Sequence, residues 1–171
     1  MKYTLFLVLI ISVTACSPKA DRLTTMENKI DSLNKRIDSA YSPGLGEFMV
    51  SIQLHHAKLW FAGKNGNWAL ADFEVGEIQE DLNNIERYNK DRPEVKELPM
   101  ISSPLDSISK AISNQNAAAF NRGFIFLTNT CNNCHQVTKH GFNIIKIPDL
   151  PPVTNQVFDK PNKAVDSSLM K

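Results

Sequence analysis

The chain has 171 residues, a formal net charge of +1, 42% hydrophobic residues and 22% charged residues. This length suits one folded domain with tails, and the composition is ordinary for such a domain. The near-neutral charge provides no basic surface for nucleic acid, so nucleic-acid binding is not expected. We find no Ser/His/Asp arrangement, no paired catalytic carboxylates and no phosphate-binding loop, so the sequence does not predict an enzyme.

Residues 1–15 have the features of a bacterial signal peptide. After a short basic start, the apolar run at 5–11 is too short to span a bilayer stably. The sequence Val-Thr-Ala-Cys at 13–16 resembles a lipobox, which implies cleavage before Cys16 and acylation of that residue. We therefore expect a lipid-anchored protein on the periplasmic side of a bacterial cell envelope, and Ser17 is compatible with the outer membrane. The alternative is an ordinary signal peptide with an incidental cysteine.

Segment 16–43 is predicted to be the lipid anchor followed by a helical spacer. Its apolar residues recur at alternating gaps of three and four, as in a coiled coil: Leu23, Met26, Ile30, Leu33 and Ile37, with Tyr41 four residues later. One interpretation is a spacer that lifts the following domain off the membrane. The other is a homo-oligomer formed through residues 23–41.

Helical periodicity over residues 44–141 predicts an all-α domain, a four-helix bundle. The predicted helices begin after Gly44, Asn67, Ser103 and Asn116, with the two asparagines as N-caps and Pro104 at the first position of the third helix in this bundle. Two prolines interrupt the connection at 91–102, and Gly141 is predicted to terminate the last helix. The acidic residues of the helix after Asn67 are predicted to form a solvated face: Glu74, Glu77, Glu80 and Asp81.

The last helix carries the sequence Cys131-Asn132-Asn133-Cys134-His135. This CxxCH spacing attaches haem c covalently, because the two thiols add to the porphyrin vinyl groups and the histidine becomes the proximal iron ligand. Phe124 and Leu127 share a helix face with both cysteines, which predicts that they line a buried haem pocket. Three alternatives remain: a zinc half-site, for which the sequence offers no second ligand pair; a redox dithiol; and a structural disulfide.

At this motif the chain resembles a c-type cytochrome. The motif follows about 80 residues of helix, and the only later methionine is Met170, so the resemblance is to class II, the cytochrome c prime group, over roughly residues 45–140. That resemblance implies a four-helix bundle with haem on the last helix. It also implies that Lys139, four residues after His135, lies near a haem propionate.

The sequence departs from cytochrome c prime on the first helix of the bundle. Where that group has an apolar residue over the distal haem face, this helix carries His55 and His56. His56 lies within the apolar stripe and is a candidate sixth iron ligand. The alternative is a core histidine that hydrogen-bonds a carbonyl or a propionate.

The composition changes after Gly141. Residues 142–158 are apolar, β-branched and proline-containing, and we expect an extended strap that packs near the haem. Residues 159–171 are polar and are expected to be disordered.

The function expected from these features is electron transfer outside the cytoplasm by a haem lipoprotein with an unidentified redox partner. One alternative is a five-coordinate haem that binds NO- or CO-type gases. Another is a haem-free structural lipoprotein with a CxxC disulfide.

Overall fold

The computed structural model describes residues 18–41 and 43–161, without the side chains of 18–20 and 38. Within these residues the chain is all-helical, as expected, and contains no strand. The α-helices are α1 (Pro18–Ala40), α2 (Leu45–Lys64), α3 (Trp68–Tyr88), α4 (Ser102–Ser113) and α5 (Ala117–Val137), with a 3₁₀ helix at Pro93–Ile101. The described residues divide into two compact units, 18–41 and 43–161.

In the first unit, α1 includes the predicted coiled-coil pattern from Leu23 to Ile37, and Tyr41 lies one residue beyond its end. The apolar side chains of that pattern are about half exposed. None of the described helices is both long and apolar enough to cross a membrane. The predicted signal peptide and the acylation site at Cys16 lie outside the described residues.

In the second unit, α2–α5 and the 3₁₀ helix surround one apolar core. The most extensive helix contacts join α2 to α3 and α4 to α5. Close approach of α4 and α5 depends on Gly123, where an added Cβ would lie 3.3 Å from the Ile108 backbone. This glycine therefore serves the contact between the helices. The core comprises Phe48, Leu59, Ala62, Ala71, Val75, Ile78, Leu82, Ile85, Leu98, Ile101, Leu105, Ile108, Ala111, Ile112, Phe120, Phe124 and Leu127.

Both predicted asparagine N-caps are confirmed. The side chain of Asn67 accepts a hydrogen bond from the Leu70 amide (3.2 Å), and that of Asn116 accepts one from Ala119 (3.0 Å). The start predicted for α4 is wrong by two residues, because the 3₁₀ helix continues directly into it. Pro104 therefore occupies the third helical position, which is still within the first turn, where its missing N–H costs no helical hydrogen bond.

The predicted termination of α5 at Gly141 is also wrong. The helix ends at Val137, and Lys139 adopts the left-handed conformation with φ of 66°. The amides of Lys139 and His140 donate to the carbonyls of Gln136 (3.2 Å) and His135 (2.6 Å), the pattern of a Schellman motif. An added Cβ at Gly141 would lie 2.5 Å from the amide end of the exposed Gln136 side chain, which is free to move aside.

The prediction that the acids of α3 form a solvated face is wrong for Glu74, whose side chain is fully buried. Its Oε2 lies 2.6 Å from His55 Nδ1, and its Oε1 lies 4.0 Å from Lys58 Nζ. The buried carboxylate is accommodated because α2 places the His55 imidazole and the Lys58 ammonium opposite it. Oε1 has no hydrogen-bond partner among the described residues.

The segment after α5 contains no helix or strand through Pro161. Ile147 packs against the core, while Phe142 is 85% exposed. Further along, Phe158 is buried against the ring of Phe61, with 5.8 Å between the ring centroids. The Asp159 carbonyl accepts a hydrogen bond from the Asn67 side chain (3.1 Å), and residues 162–171 lie outside the described part.

Candidate functional site

The CxxCH motif lies near the C-terminal end of α5, in continuous helix. Cys131, Cys134 and His135 all line one cavity of about 310 Å³. Because residues three apart on a helix share a face, both thiols open into the same space. The motif therefore forms one wall of a defined pocket.

The other walls of the cavity are largely apolar. They come from α2, α3, the 3₁₀ helix and the segment after α5: Gly46, Met49, Val50, Ile52, Gln53, His56, Ile78, Leu82, Leu98, Ile101, Asn143 and Ile145. Leu127 of α5, which the sequence predicts to line a haem pocket, completes the lining of this cavity. An apolar cleft with a few convergent polar groups is the usual form of a site for a small molecule or cofactor.

His135 is oriented by the segment that follows the helix. Its Nδ1 lies 2.7 Å from the carbonyl oxygen of Asn143. A carbonyl can only accept, so Nδ1 carries the proton and donates this bond. In the neutral imidazole the Nε2 lone pair is then available as a ligand. Metal-binding histidines are typically fixed in this way by a second hydrogen bond to a carbonyl or carboxylate.

Asn132, the first of the two residues between the cysteines, is hydrogen-bonded to the segment that follows α5. Asn132 Nδ2 donates to the Ile145 carbonyl, and the Ile145 amide donates to Asn132 Oδ1, each at 2.8 Å. A side-chain amide that pairs with both backbone groups of one residue fixes its position and direction. We refer to residues 143–145 as the clamp segment, because Asn132 and His135 hold its two ends on the cavity rim.

The environment of the cysteines differs from that of a redox dithiol. Both are free thiols. Burial raises the pKa of Cys131 to about 12. Burial also raises the pKa of Cys134, and the nearby carboxylates of Glu97 and Glu94 raise it further. Reactive CxxC pairs have a lowered thiol pKa, because the thiolate is the nucleophile. These thiols stay protonated at neutral pH.

His56 lies in the wall of the same cavity and is 3% exposed. Its Nε2 is 2.9 Å from Thr128 Oγ1, and that hydroxyl donates to the Phe124 carbonyl (2.9 Å). Since the hydroxyl proton is used at the carbonyl, His56 donates from Nε2 and keeps its lone pair on Nδ1. Burial lowers the pKa of His56 to about 4, so the ring is neutral at physiological pH.

No family model matches this chain, and comparisons with curated proteins and with solved structures find no significant match.

The structure separates the other predicted site residues from the cavity. Phe124 is fully buried behind the lining, where its ring contacts that of His56 with a centroid separation of 4.4 Å. Lys139 is exposed and is not among the lining residues. His55 faces Glu74 of α3, so it is not placed to act as an iron ligand in the described arrangement.

Sequence reasoning missed the clamp segment and its partner Asn132. The motif pattern leaves its second residue unrestricted, and the contacts span 13 residues for Ile145 and eight for Asn143. The only available signal was the apolar composition after Gly141, which predicted a nearby strap without its attachment points.

No cluster of three or more His, Cys, Asp or Glu side chains suited to a metal ion occurs in residues 18–41 and 43–161.

Proposed function

We propose that this protein is a c-type haem protein whose second unit is a class II-like four-helix bundle, and that it transfers electrons outside the cytoplasm. The observation that carries the proposal is the hydrogen bond from His135 to the Asn143 carbonyl. It leaves Nε2 as the free ring nitrogen, beside two thiols that open into one apolar cavity.

The residues present fit covalently held haem. Cys131 and Cys134 would each add S–H across one vinyl C=C, forming a carbon–sulfur bond and leaving the hydrogen on the other vinyl carbon, so that no external oxidant or reductant is consumed. His135 would ligate the iron through Nε2, and Leu127 with the lining of α2 and α3 would exclude water. When bound, haem supplies a one-electron iron couple.

The role of the clamp segment follows from the same arrangement. The Asn143 carbonyl would strengthen the bond from His135 to a bound iron, because a ring whose N–H is hydrogen-bonded donates more strongly to a metal. Stronger donation would favour ferric iron and would therefore lower the reduction potential of the bound haem. Asn132 keeps that carbonyl in place by holding Ile145 two residues further on.

Five-coordinate haem that binds a diatomic gas is the second candidate. The observation that favours it is the position of His56, because its Nε2 is already engaged by Thr128. Ligation through Nε2 would sacrifice that hydrogen bond. In this candidate His56 would remain a wall residue of the cavity and would not bind the iron.

The test is expression of the full chain with its export signal, in a host with c-type haem maturation machinery. We expect a haem stain that persists on a denaturing gel and that disappears in the Cys131→Ser/Cys134→Ser variant. Asn133→Ala, which alters an exposed residue inside the motif, is the matched control and should keep the stain. A wild-type protein without stain would overturn the haem proposal and favour a haem-free lipoprotein.

Absorption spectra separate the two candidates. A ferric low-spin spectrum, unchanged when CO is added to the reduced protein, supports electron transfer with a sixth ligand. A high-spin spectrum that shifts with CO supports gas binding. His135→Ala should keep the covalent stain and change the spectrum in either case, whereas His140→Ala, which removes a half-buried histidine outside the lining, should leave it unchanged.

We further propose that acylated Cys16 anchors the protein to the bacterial outer membrane. The lipobox-like sequence is the support for this anchor. Cys16→Ser should release the protein from the membrane fraction and abolish labelling with a radioactive fatty acid. Retention of label in that variant would contradict the proposal.

A further inference from the structure

Helix α1 carries an apolar stripe that is largely open to solvent. We define the α1 seam as Leu23, Met26, Ile30, Leu33 and Ile37, each between 53% and 61% exposed. Burying an aliphatic side chain of this size stabilises an association by roughly 1.5–3 kcal/mol at full burial, so the seam is a substantial unused surface. A helix of 23 residues holds the five side chains on one side.

The choice of residues in the α1 seam favours two strands. With Leu23 at heptad position a, the a positions of the seam hold Leu23, Ile30 and Ile37, and its d positions hold Met26 and Leu33; the next d position is Ala40, where α1 ends. β-branched residues at a with leucine at d pack best in parallel dimers. Two of the three a positions and one of the two d positions follow this rule.

The flanking charges favour a parallel orientation. The g positions are all cationic, at Arg22, Lys29 and Arg36, and the e positions before Tyr41 hold Glu27 and Asn34. In a parallel pair each g residue faces the e residue of the next heptad on the other strand, so Arg22 meets Glu27 twice in the dimer. In an antiparallel pair g faces g, and the cations would repel each other.

We propose that the α1 seam binds a second copy of this chain as a parallel, in-register, two-stranded coiled coil. A membrane surface fits the seam less well. Helices that lie on membranes present a broad apolar face with cationic flanks, whereas this stripe is narrow and the polar surface includes Asp21, Glu27 and Asp31. The proposal is independent of haem and of the function proposed above. The seam covers only about two and a half heptads, so we expect association to depend on concentration.

Cysteine cross-linking of the full chain in membranes tests contact and orientation together. Single replacements Leu23→Cys, Met26→Cys and Leu33→Cys place thiols at the seam, and Asn28→Cys at position f on the outer face is the control. Under a mild oxidant, we expect each seam variant to yield a disulfide-linked species of twice the chain mass. Asn28→Cys should yield no more than the wild type, whose own cysteines set the background.

Other outcomes contradict the proposal. Equal cross-linking at Asn28 and at the seam would indicate random collisions, and a product of another mass would indicate a different partner protein. Absence of cross-linking at all three seam positions would overturn the parallel, in-register pair. Cross-linking at only one of the three positions would overturn the parallel orientation, because an antiparallel pair brings the two copies of a residue together only near its midpoint.

Charge exchange gives a second readout that does not depend on introduced thiols. Arg22→Glu should weaken dimerisation by about 2- to 10-fold, because it replaces two attractive pairs with two repulsive ones. The double exchange Arg22→Glu/Glu27→Arg should restore it. Sedimentation equilibrium of the detergent-solubilised full chain, with micelle density matched by the solvent, measures the constant, and failure of the double exchange to recover it would overturn the assigned pairing.

Discussion

Asn132 and Ile145 are joined by two hydrogen bonds of 2.8 Å, one in each direction between the side-chain amide and the backbone. The pair attaches the segment after α5 to the second residue of the CxxCH motif. Together with the bond from His135 to Asn143, it makes the orientation of the histidine depend on a segment outside the helix.

Asn132→Ala should release the clamp segment without preventing haem attachment. Each lost hydrogen bond contributes about 0.5–1.5 kcal/mol, so we expect the free energy of unfolding to fall by about 1–3 kcal/mol. Hydrogen exchange of the Ile145 amide measures the local effect directly, and it should become much faster. Asn133→Ala is the matched control, and unchanged protection of Ile145 in the Asn132 variant would contradict the clamp.

The buried histidine predicts a pH dependence of stability for the haem-free chain. Burial lowers the pKa of His56 from its ordinary 6.5 to about 4, so between these values the unfolded chain binds more protons than the folded one. The contribution of neutral His56 to the free energy of unfolding is fully present above pH 6.5 and is lost as the pH falls towards 4. The loss is at most about 3 kcal/mol.

Denaturant unfolding between pH 4 and 7 measures this dependence. His56→Gln should flatten the profile in that window, because the glutamine cannot titrate. His140→Gln, at a half-buried histidine, is the control and should retain the slope. A wild-type slope in the His56 variant would show that another group is responsible.

Two glycine replacements should have opposite effects. An alanine Cβ at Gly63 of α2 would lie 2.1 Å from the ring of fully buried Phe120, whereas no atom lies within 4 Å of such a Cβ at Gly76 of α3. We expect Gly63→Ala to destabilise by about 1–3 kcal/mol, since the packed ring must move. Gly76→Ala should stabilise by about 0.5–1 kcal/mol through helix propensity. Thermal unfolding of both variants checks the signs, and tolerance of Gly63→Ala would show that the ring can shift.

Removal of Glu74 should cost more than removal of any exposed acid of α3. The carboxylate is fully buried and hydrogen-bonded to His55, so Glu74→Ala leaves the histidine and Lys58 without their shared anion. We expect a loss of about 1–3 kcal/mol in unfolding free energy. Glu80→Ala, on the exposed face, should change stability by less than about 0.5 kcal/mol. Similar results for the two variants would contradict an anchoring role for Glu74.

Local patterns in the sequence predict much of the fold. The apolar periodicity locates the helices, and Asn67 and Asn116 mark the starts of α3 and α5, because a cap depends on neighbours three residues away. The patterns fail where a distant partner decides the outcome. Glu74 is buried where α2 places His55 and Lys58 opposite it, which the periodicity of α3 alone cannot reveal.

In the candidate site, too, features set by nearby residues are predictable and features set by distant partners are not. The CxxCH spacing predicts that Cys131, Cys134 and His135 share one wall, and they line one cavity. The contact from Asn132 to Ile145 was not predictable, because the pattern does not constrain that residue and the partner offers only backbone atoms. The left-handed Lys139 also escaped prediction, because glycine usually occupies such a position and the nearest glycine lies two residues later.

The clamp segment and α5 are paired in opposite directions along the chain. Asn132 pairs with Ile145, whereas His135, which comes later in the helix, pairs with Asn143, which comes earlier in the segment. The segment therefore runs back along α5 with a fixed register. From Asn132 to His135 the helix rises about 4.5 Å, and from Asn143 to Ile145 an extended segment covers about 6.6 Å. Both pairs can therefore form together only when the turn between the helix and the segment has the correct length. Surface loops usually tolerate insertions, but one added residue between Val137 and Phe142 would displace both attachments at once. We therefore expect the length of this turn to be invariant wherever the clamp occurs, even where its amino acids differ.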